Sequence, residues 1–157
     1  MNDIFGKIVS IFLACGIFFG LPLVYMNERA KTAEQLYLLT ETTHFVDSVC
    51  NVGKIDEQML QRFYDSIARD NVVYEIKVLH ETGDYAYDTG KDSYERVSRY
   101  YDEEDIWNAL RQGQDYYFYR GDFLRVTILR VSGYALFPQN DQTLNIQYGG
   151  TVKYEAF

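Results

Sequence analysis

The sequence predicts an α+β protein in which a long N-terminal transmembrane helix continues into an exposed amphipathic helix and packs with a second helix on an antiparallel β-sheet. Three observations support this fold class. Residues 8–26 contain no charged or amide side chain, and residues 27–52 contain neither Gly nor Pro. Near Val72 the hydrophobic period changes from helical to alternating. We expect residues 1–26 to form the tail and membrane helix, and residues 27–157 to form the exposed domain.

The apolar segment Ile8–Met26 is long enough to cross a bilayer. Its 19 residues extend for roughly 28 Å as a helix, close to the thickness of the hydrocarbon core. A cleaved signal peptide and a lipoprotein signal at Ala14-Cys15-Gly16 are the alternatives. Bulky residues at 23–25, and Phe12 and Leu13 before Ala14, fit the cleavage sites of such signals poorly.

The flanks of the segment bear on orientation and on helix contacts. Lys7 on one side and Arg29 with Lys31 on the other nearly cancel as flanking cations. A short tail followed by a large acidic domain favours a single-pass protein in the cell membrane, with its C-terminal domain extracytoplasmic. Gly16 and Gly20 share one helix face, where another helix could approach closely.

The charge of the chain is concentrated after the membrane segment. Three of the 15 basic and two of the 23 acidic side chains lie within residues 1–31. Residues 32–157 therefore carry 12 basic and 21 acidic side chains, a net charge of −9. Such a domain repels phosphate backbones, so no nucleic acid partner is expected.

The chain has two cysteines, and one of them lies in the apolar segment. Cys50 is then alone in the exposed domain, so no disulfide forms within that domain. An exported domain without a disulfide is typical of bacteria whose surface proteins do not rely on them; an intracellular domain is the alternative. We interpret Cys50 as a small buried apolar residue, with a reactive or intermolecular thiol as the alternative.

The helices of the exposed domain follow from period and capping. Residues 27–52 are predicted as one helix with a heptad-like apolar row, and Gly53 ends it. That row is Leu36, Leu39, Thr43, Val46 and Cys50, and a second row is Leu38, Phe45, Val49 and Val52. Residues 56–69 are predicted as a helix capped by Asp56, and residues 103–112 as a short helix capped by Asp102.

The remaining segments predict antiparallel strands. Alternation in Val72–His80 indicates a strand, and Thr82-Gly83-Asp84 is predicted to turn the chain. The polar stretch 88–99 is predicted as a loop. Two hairpins are predicted, one around Arg120-Gly121-Asp122 and one with Gly149-Gly150 as a two-residue turn.

No residue pattern assigns catalysis, a cofactor or a metal. Histidine occurs only at His44 and His80. His44 and Cys50 lie on different sides of a helix, so we do not expect a local nucleophile and base. No C-x-x-C or H-x-x-x-H spacing is present. We therefore interpret both histidines as solvated or internally hydrogen-bonded.

Three short motifs have ordinary structural explanations. Asp88-Thr89-Gly90 matches the tripeptide of aspartic proteases, but a polar turn accounts for it. Arg120-Gly121-Asp122 matches an adhesion tripeptide, and a hairpin loop is the simpler interpretation. Asp102-Glu103-Glu104-Asp105 lacks the alternating ligands of a calcium loop and suits a helix start.

Tyrosine is the one residue type in clear excess, with fifteen copies. Many lie on predicted strands: 74, 85, 87, 116, 117, 119, 148 and 154. Tyrosine is common at contact surfaces because it offers area with few rotors to freeze. Sheet propensity alone is the alternative explanation.

Several stretches carry a resemblance to a known family: Phe45-Val46-Asp47, Val52-Gly53-Lys54-Ile55, Tyr74-Glu75-Ile76, Gly121-Asp122-Phe123 and Val126-Thr127. Together with the order of tail, membrane helix, amphipathic helix and sheet, they resemble type IV pilins and pseudopilins. The resemblance is strongest to TadE-like proteins of tight-adherence pilus systems in Gram-positive bacteria. It implies a pilin-like fold and a minor pilin held in the membrane until assembly.

The resemblance implies a non-enzymatic pilin-like subunit whose partners are the membrane and other assembly subunits. Helix–helix contacts would involve Gly16, Gly20, Leu36, Leu39, Val46 and Cys50. Gly6 is followed five residues later by Ile11, where pilin processing sites usually carry Glu, which favours a permanently anchored accessory subunit. The alternatives are a single-pass protein whose tyrosine-rich sheet domain binds a ligand, and a membrane-tethered hydrolase, for which no site is recognisable.

Overall fold

The computed structural model describes residues 2–68, 72–90, 92–133 and 144–154. The helices are α1 (Asn2–Val52), α2 (Glu57–Ile67) and α3 (Glu103–Arg111). The strands are β1 (Lys54–Ile55), β2 (Val72–Asp88), β3 (Ser93–Tyr101), β4 (Tyr116–Tyr117), β5 (Phe123–Gly133) and β6 (Asn145–Thr151). This confirms an α+β fold with one long N-terminal apolar helix and an antiparallel sheet.

The chain forms two compact units, Met1–Tyr37 and Leu38–Phe157. The first unit is the N-terminal part of α1. The second unit contains the end of α1 and all the remaining elements. The predicted division into residues 1–26 and 27–157 concerned the membrane rather than compactness, and it stays a prediction.

Capping residues define the two short helices as their sequences predicted. The Asp56 side chain accepts a hydrogen bond from the backbone N–H of Met59 at 2.7 Å, and Ile55 and Leu60 beside it are fully buried. At α3, Asp102 and Asp105 form a reciprocal capping box. Each cap satisfies amide groups that a helix start leaves without partners.

Two antiparallel sheets lie in the second unit. The larger has the strand order β3-β2-β5-β6, and the smaller pairs β1 with β4. In the larger sheet, alternate residues form the buried rows. These rows are Ile76, Ile128 and Ile146; Val78, Val126 and Tyr148; and His80, Leu124 and Gly150. Most of their side chains belong to one core with residues of all three helices.

The predicted turn at Thr82-Gly83-Asp84 and the predicted loop 88–99 are both wrong. Strand β2 continues to Asp88, and β3 pairs with it from Ser93 onward. The loop was predicted because the sequence from 88 to 99 is mostly polar. Beyond Glu81, β2 pairs with β3 but not with β5, so backbone pairing rather than burial holds this hairpin together among the described residues.

Both predicted hairpins near the C-terminus are also wrong. Strand β4 pairs with β1 rather than β5, and Arg120-Gly121-Asp122 is a turn that leads into β5. Gly149 and Gly150 lie inside β6, opposite Arg125 and Leu124. These two glycines permit close approach of neighbouring groups rather than a turn.

Gly150 of β6 lies against the end of α1. A Cβ at this position would be 3.0 Å from the Sγ of Cys50 and 3.3 Å from a methyl carbon of Val46. The same contact is closed by a hydrogen bond from the Lys153 N–H to the Cys50 carbonyl, at 2.9 Å. The missing side chain therefore sets the distance between helix and strand.

We predict that Gly150→Ala destabilises the second unit by roughly 1–3 kcal/mol, because the added methyl overpacks the contact with Cys50. Adding Cys50→Ala should relieve the clash, giving a coupling of about 0.5–3 kcal/mol in a double-mutant cycle. Denaturant unfolding of the full chain in detergent measures both values. Gly6→Ala is the control, because its Cβ meets no atom within 4 Å. Additive effects of the two substitutions would contradict this account of the contact.

Candidate functional site

The first unit presents an apolar helical surface. Among the described residues, α1 is the single helix long and apolar enough to cross a membrane, and its most apolar window has a mean hydropathy of 2.3 and is 0% buried. Three phenylalanines, Phe12, Phe18 and Phe19, illustrate this exposure. Length and composition make the segment a candidate membrane span, a test that a signal sequence also passes.

Gly16 and Gly20 lie on this surface with open space around them. A Cβ built at either position meets no atom within 4 Å. Their predicted role in helix–helix packing concerns contacts outside this chain and stays a prediction. The geometry leaves a shallow site that a second helix backbone could occupy.

The other residues predicted for helix packing divide into two pairs. Val46 and Cys50 are 0% and 3% exposed and belong to the core of the second unit, whereas Leu36 and Leu39 are 60% and 41% exposed. Val46 and Cys50 therefore pack within the chain. The buried face of α1 is instead Leu38, Thr42, Phe45, Val46, Val49 and Cys50. The buried face differs from the predicted row that begins at Leu36. Contact with the sheet, rather than a heptad repeat, determines which side chains of α1 are buried.

The Cys50 side chain has the properties of a core residue. Burial raises the pKa of its thiol, and the Asp47 carboxylate adds to this shift. A raised pKa suppresses the thiolate, which is the reactive form. The interpretation as a small buried apolar residue fits these surroundings, while Cys15 is exposed on the apolar segment.

A buried polar cluster joins β2 to β4 and to the turn before β5. The ring of His80 lies 2.8 Å through Nδ1 from the Tyr116 hydroxyl and 2.9 Å through Nε2 from an Asp122 carboxylate oxygen. The same Asp122 oxygen accepts a hydrogen bond from the Tyr119 N–H at 2.7 Å. His80 and Asp122 are each 3% exposed.

The hydrogen-bonding groups of this cluster can all find partners. Burial raises the pKa of Tyr116, with a further contribution from the charge of Asp105, so its hydroxyl stays protonated. The hydroxyl can then donate to Nδ1 of the His80 ring, with the Nε2–H donating to Asp122. Each partner is satisfied, as a buried polar network requires. The arrangement links three segments, and its aromatic neighbours Tyr101 and Phe118 enclose the ring.

The sequence held a signal for this cluster. Val78 is buried and Ile76 is half-buried on the inner face of β2, and a period of two places His80 on the same face. The histidines were predicted to be either solvated or internally hydrogen-bonded, and His80 is internally hydrogen-bonded. Asp122 could not be found in this way, because the predicted hairpin placed it in an exposed loop. Because Asp122 is buried, the structure does not support the adhesion interpretation of Arg120-Gly121-Asp122.

The remaining motifs lie in local structure. Asp88-Thr89-Gly90 covers the end of β2 and the next turn, with Thr89 and Gly90 exposed. Asp102 accepts hydrogen bonds from the N–H groups of Glu104 and Asp105 as a helix cap. Within the described residues, no group of three or more His, Cys, Asp and Glu side chains could hold a metal ion.

Comparison with known proteins gives no family assignment. No protein-family model matches the chain, and searches of curated proteins and of solved structures found no match.

We predict that Asp122→Ala destabilises the second unit by roughly 3 kcal/mol, because it removes the acceptor shared by the buried His80 ring and the partly buried Tyr119 N–H. Asp84→Ala is the matched control: Asp84 contacts Arg99 with both side chains more than half exposed, and exposed ion pairs contribute little. Thermal and denaturant unfolding of the full chain measure the difference. Equal losses for the two variants would show that the cluster contributes no more than a surface pair.

Proposed function

We propose that this chain is a non-enzymatic, membrane-anchored pilin-like or pseudopilin subunit that acts in assembly of a surface pilus or secretion apparatus. The proposal is based on the contrast between the two parts of α1. One helix, Asn2–Val52, holds an exposed apolar segment in the first unit and supplies core residues to the second. An anchor that is also part of the folded head is the arrangement expected of a pilin-like subunit.

The exposed apolar segment supports a partner in the bilayer. Fully burying one large aliphatic or aromatic side chain is worth about 1.5–3 kcal/mol, so a segment of this length requires lipid or other helices around it. Lipid chains can cover every face of this helix equally well. Gly16 and Gly20 distinguish one face, on which a second helix backbone can come closer than lipid chains do.

The second unit supports a location outside the bilayer. Residues 38–157 carry 12 basic and 20 acidic side chains, and this charge favours water over the bilayer core. We place it on the extracytoplasmic side, with the membrane helix crossing once. Exposure of Leu36 and Leu39 leaves both side chains accessible to neighbouring subunits.

We predict that Gly16→Ile with Gly20→Ile reduces recovery of pilus or secretion subunits with this chain by about tenfold, since loss of close helix packing costs on the order of 1–2 kcal/mol. Affinity purification from native membranes, with subunits quantified by mass spectrometry, gives the measurement. Ala14→Ile is the control, because position 14 is rotated by about 200° from position 16.

The amount of each variant in the membrane fraction is measured first, so that recovery is compared at equal abundance. Recovery of no pilus or secretion subunits with the parent chain would overturn the proposed function. An equal loss for Ala14→Ile would overturn the role of the glycine face.

A second candidate function, ligand binding by the exported sheet domain, is favoured by the hairpin of β2 and β3. Beyond Glu81 this hairpin extends past the pairing of β2 with β5. Tyr85, Tyr94 and Tyr100 on it are mostly exposed. Exposed tyrosines on a projecting hairpin form a surface of the kind that binds partners.

We predict for this candidate that Tyr85→Ser with Tyr94→Ser lowers binding of the full chain to purified cell-wall polymers by about tenfold, because truncating two contact tyrosines removes most of a contact surface. Tyr154→Ser is the control, since Tyr154 is also exposed but lies outside the hairpin. Co-sedimentation in detergent measures binding. Absence of binding by the parent chain, or the same loss with the control, would count against this candidate.

A further inference from the structure

A cavity of about 700 Å³ lies on the outer face of the larger sheet, the face that is turned away from the core. Val78 and Val126 belong to the buried rows, and a period of two places Lys77 and Thr127 on the opposite face. The sheet residues that line the cavity are Lys77, Val78, Leu79, Arg125, Thr127 and Gln147. All of them except Val78 lie on the outer face, so three strands form the floor of the cavity. A volume of this size falls within the range of small-molecule sites, about 300–1,000 Å³.

Three polar side chains form a row across this floor. Lys77 lies opposite Thr127 in the strand pairing, and Thr127 lies opposite Gln147. Neighbouring strands are about 4.8 Å apart, so the row extends for roughly 10 Å. Lys77 contacts Glu75 at 3.1 Å, but an ammonium group has three N–H donors, and one such contact leaves donors for a ligand. The hydroxyl and the amide of the row both donate and accept hydrogen bonds.

The wall beside this floor is aromatic and fixed in place. Helix α3 packs against β2, and Trp107 of α3 lines the cavity. Its indole N–H donates to Glu103 at 3.1 Å, and the Tyr64 hydroxyl donates to the same carboxylate oxygen. The Tyr64 and Trp107 rings also lie 5.8 Å apart. A wall held by packing and hydrogen bonds loses little freedom when a ligand binds.

The charges around the cavity have both signs. Three cations and three anions line it: Lys77, Arg111, Arg125, Asp102, Glu103 and Glu104. A ligand with a net charge meets repulsion from one of the two sets. A neutral hydroxyl group can donate to a carboxylate and can accept from an ammonium or a guanidinium group, so it is complementary to both sets. Since hydrogen bonds to charged groups are the stronger ones, the lining favours a neutral ligand with many hydroxyl groups.

We propose that this cavity binds a neutral oligosaccharide. A sugar ring carries hydroxyl groups around its edge and C–H groups on its faces. The C–H face packs on Trp107 and Leu79, because both offer apolar surface, and the hydroxyl groups bond with Lys77, Gln147 and Glu104. The site requires neither the membrane helix nor the tyrosines of the hairpin of β2 and β3, so it is independent of both proposed functions.

The test uses the full chain in a detergent without a sugar headgroup, so that the detergent does not compete for the cavity. The neutral probes are chitohexaose, cellohexaose and maltohexaose, and binding is followed by the emission of Trp107, the only tryptophan in the chain. Each probe has a charged counterpart: the cationic de-N-acetylated form of chitohexaose, and the anionic C6-carboxyl forms of the two glucose oligomers. At least one neutral probe should bind, and its charged counterpart should bind about tenfold more weakly, because one set of charges repels it.

Substitutions around the cavity locate the bound sugar. Gln147→Ala should weaken binding about fivefold, as expected for the loss of a hydrogen bond. Asn145→Ala is the matched control and should bind like the parent, because Asn145 is also exposed on the outer face of β6 but does not line the cavity. Trp107→Ala should weaken binding about tenfold, and its binding is measured by isothermal titration calorimetry. Tyr85→Ser with Tyr94→Ser should leave the affinity unchanged, which distinguishes the cavity from the hairpin.

The proposal is overturned if no neutral probe binds, or if the charged counterpart binds as tightly as the neutral probe. It is also overturned if Gln147→Ala and Asn145→Ala bind alike, or if the hairpin variant loses binding. Circular dichroism and thermal unfolding show whether Trp107→Ala is folded. If it is not, Gln147→Ala decides the proposal, because the Gln147 side chain is exposed and its removal leaves the core intact.

Discussion

The contact between the end of α1 and the inner face of the sheet is the constraint on which the second unit depends. Gly150 lets β6 lie against Cys50 and Val46. Two carbonyls at the end of the helix are then used by distant segments: Cys50 accepts from Lys153, and Gly53 accepts from Phe118. The helix end therefore fixes both the chain after β6 and the chain after β4. It also sets the position of the segment that carries Tyr116 and Asp122 to His80.

The length of β2 explains why one hairpin extends beyond the rest of the sheet. Its first half pairs with β5 and its second half pairs with β3, with a short overlap near His80. The second half therefore extends as a two-stranded hairpin with β3, and the first half is joined to the rest of the sheet through β5. His80 lies at the crossover, where the buried cluster joins β2 to the loop before β5.

The fold class and the helix starts could be predicted because they depend on local signals. Asp56 and Asp102 cap helices with their own side chains, and a period change marks the beginning of the sheet. Strand pairing could not be predicted in the same way. Glycine next to glycine is typical of a turn, yet Gly149 and Gly150 are required by atoms distant in sequence, including the Phe123 ring and the Cys50 sulfur.

The candidate sites also differ in whether local sequence signals or tertiary contacts define them. Gly16 and Gly20 are recognisable from spacing alone, whereas the inward face of α1 is not. Leu36 and Leu38 are equally apolar, and only the position of the sheet makes Leu38 the buried one. The buried cluster was half visible, since the alternation of β2 reaches His80, but Asp122 reaches it through the turn after Tyr119. Tertiary contacts decide which of two equivalent local patterns is used.

An anchored subunit of the proposed kind must remain separate in the membrane and yet associate during assembly. Lipid chains are about as apolar as leucine, so exchanging lipid for a neighbouring helix gains little from the hydrophobic effect. Association then depends on close packing, which is available only at positions such as Gly16 and Gly20. The negative charge of residues 32–157 adds repulsion between heads that are not specifically paired. In this proposal, weak helix affinity and head repulsion keep single subunits apart until specific contacts between heads are formed.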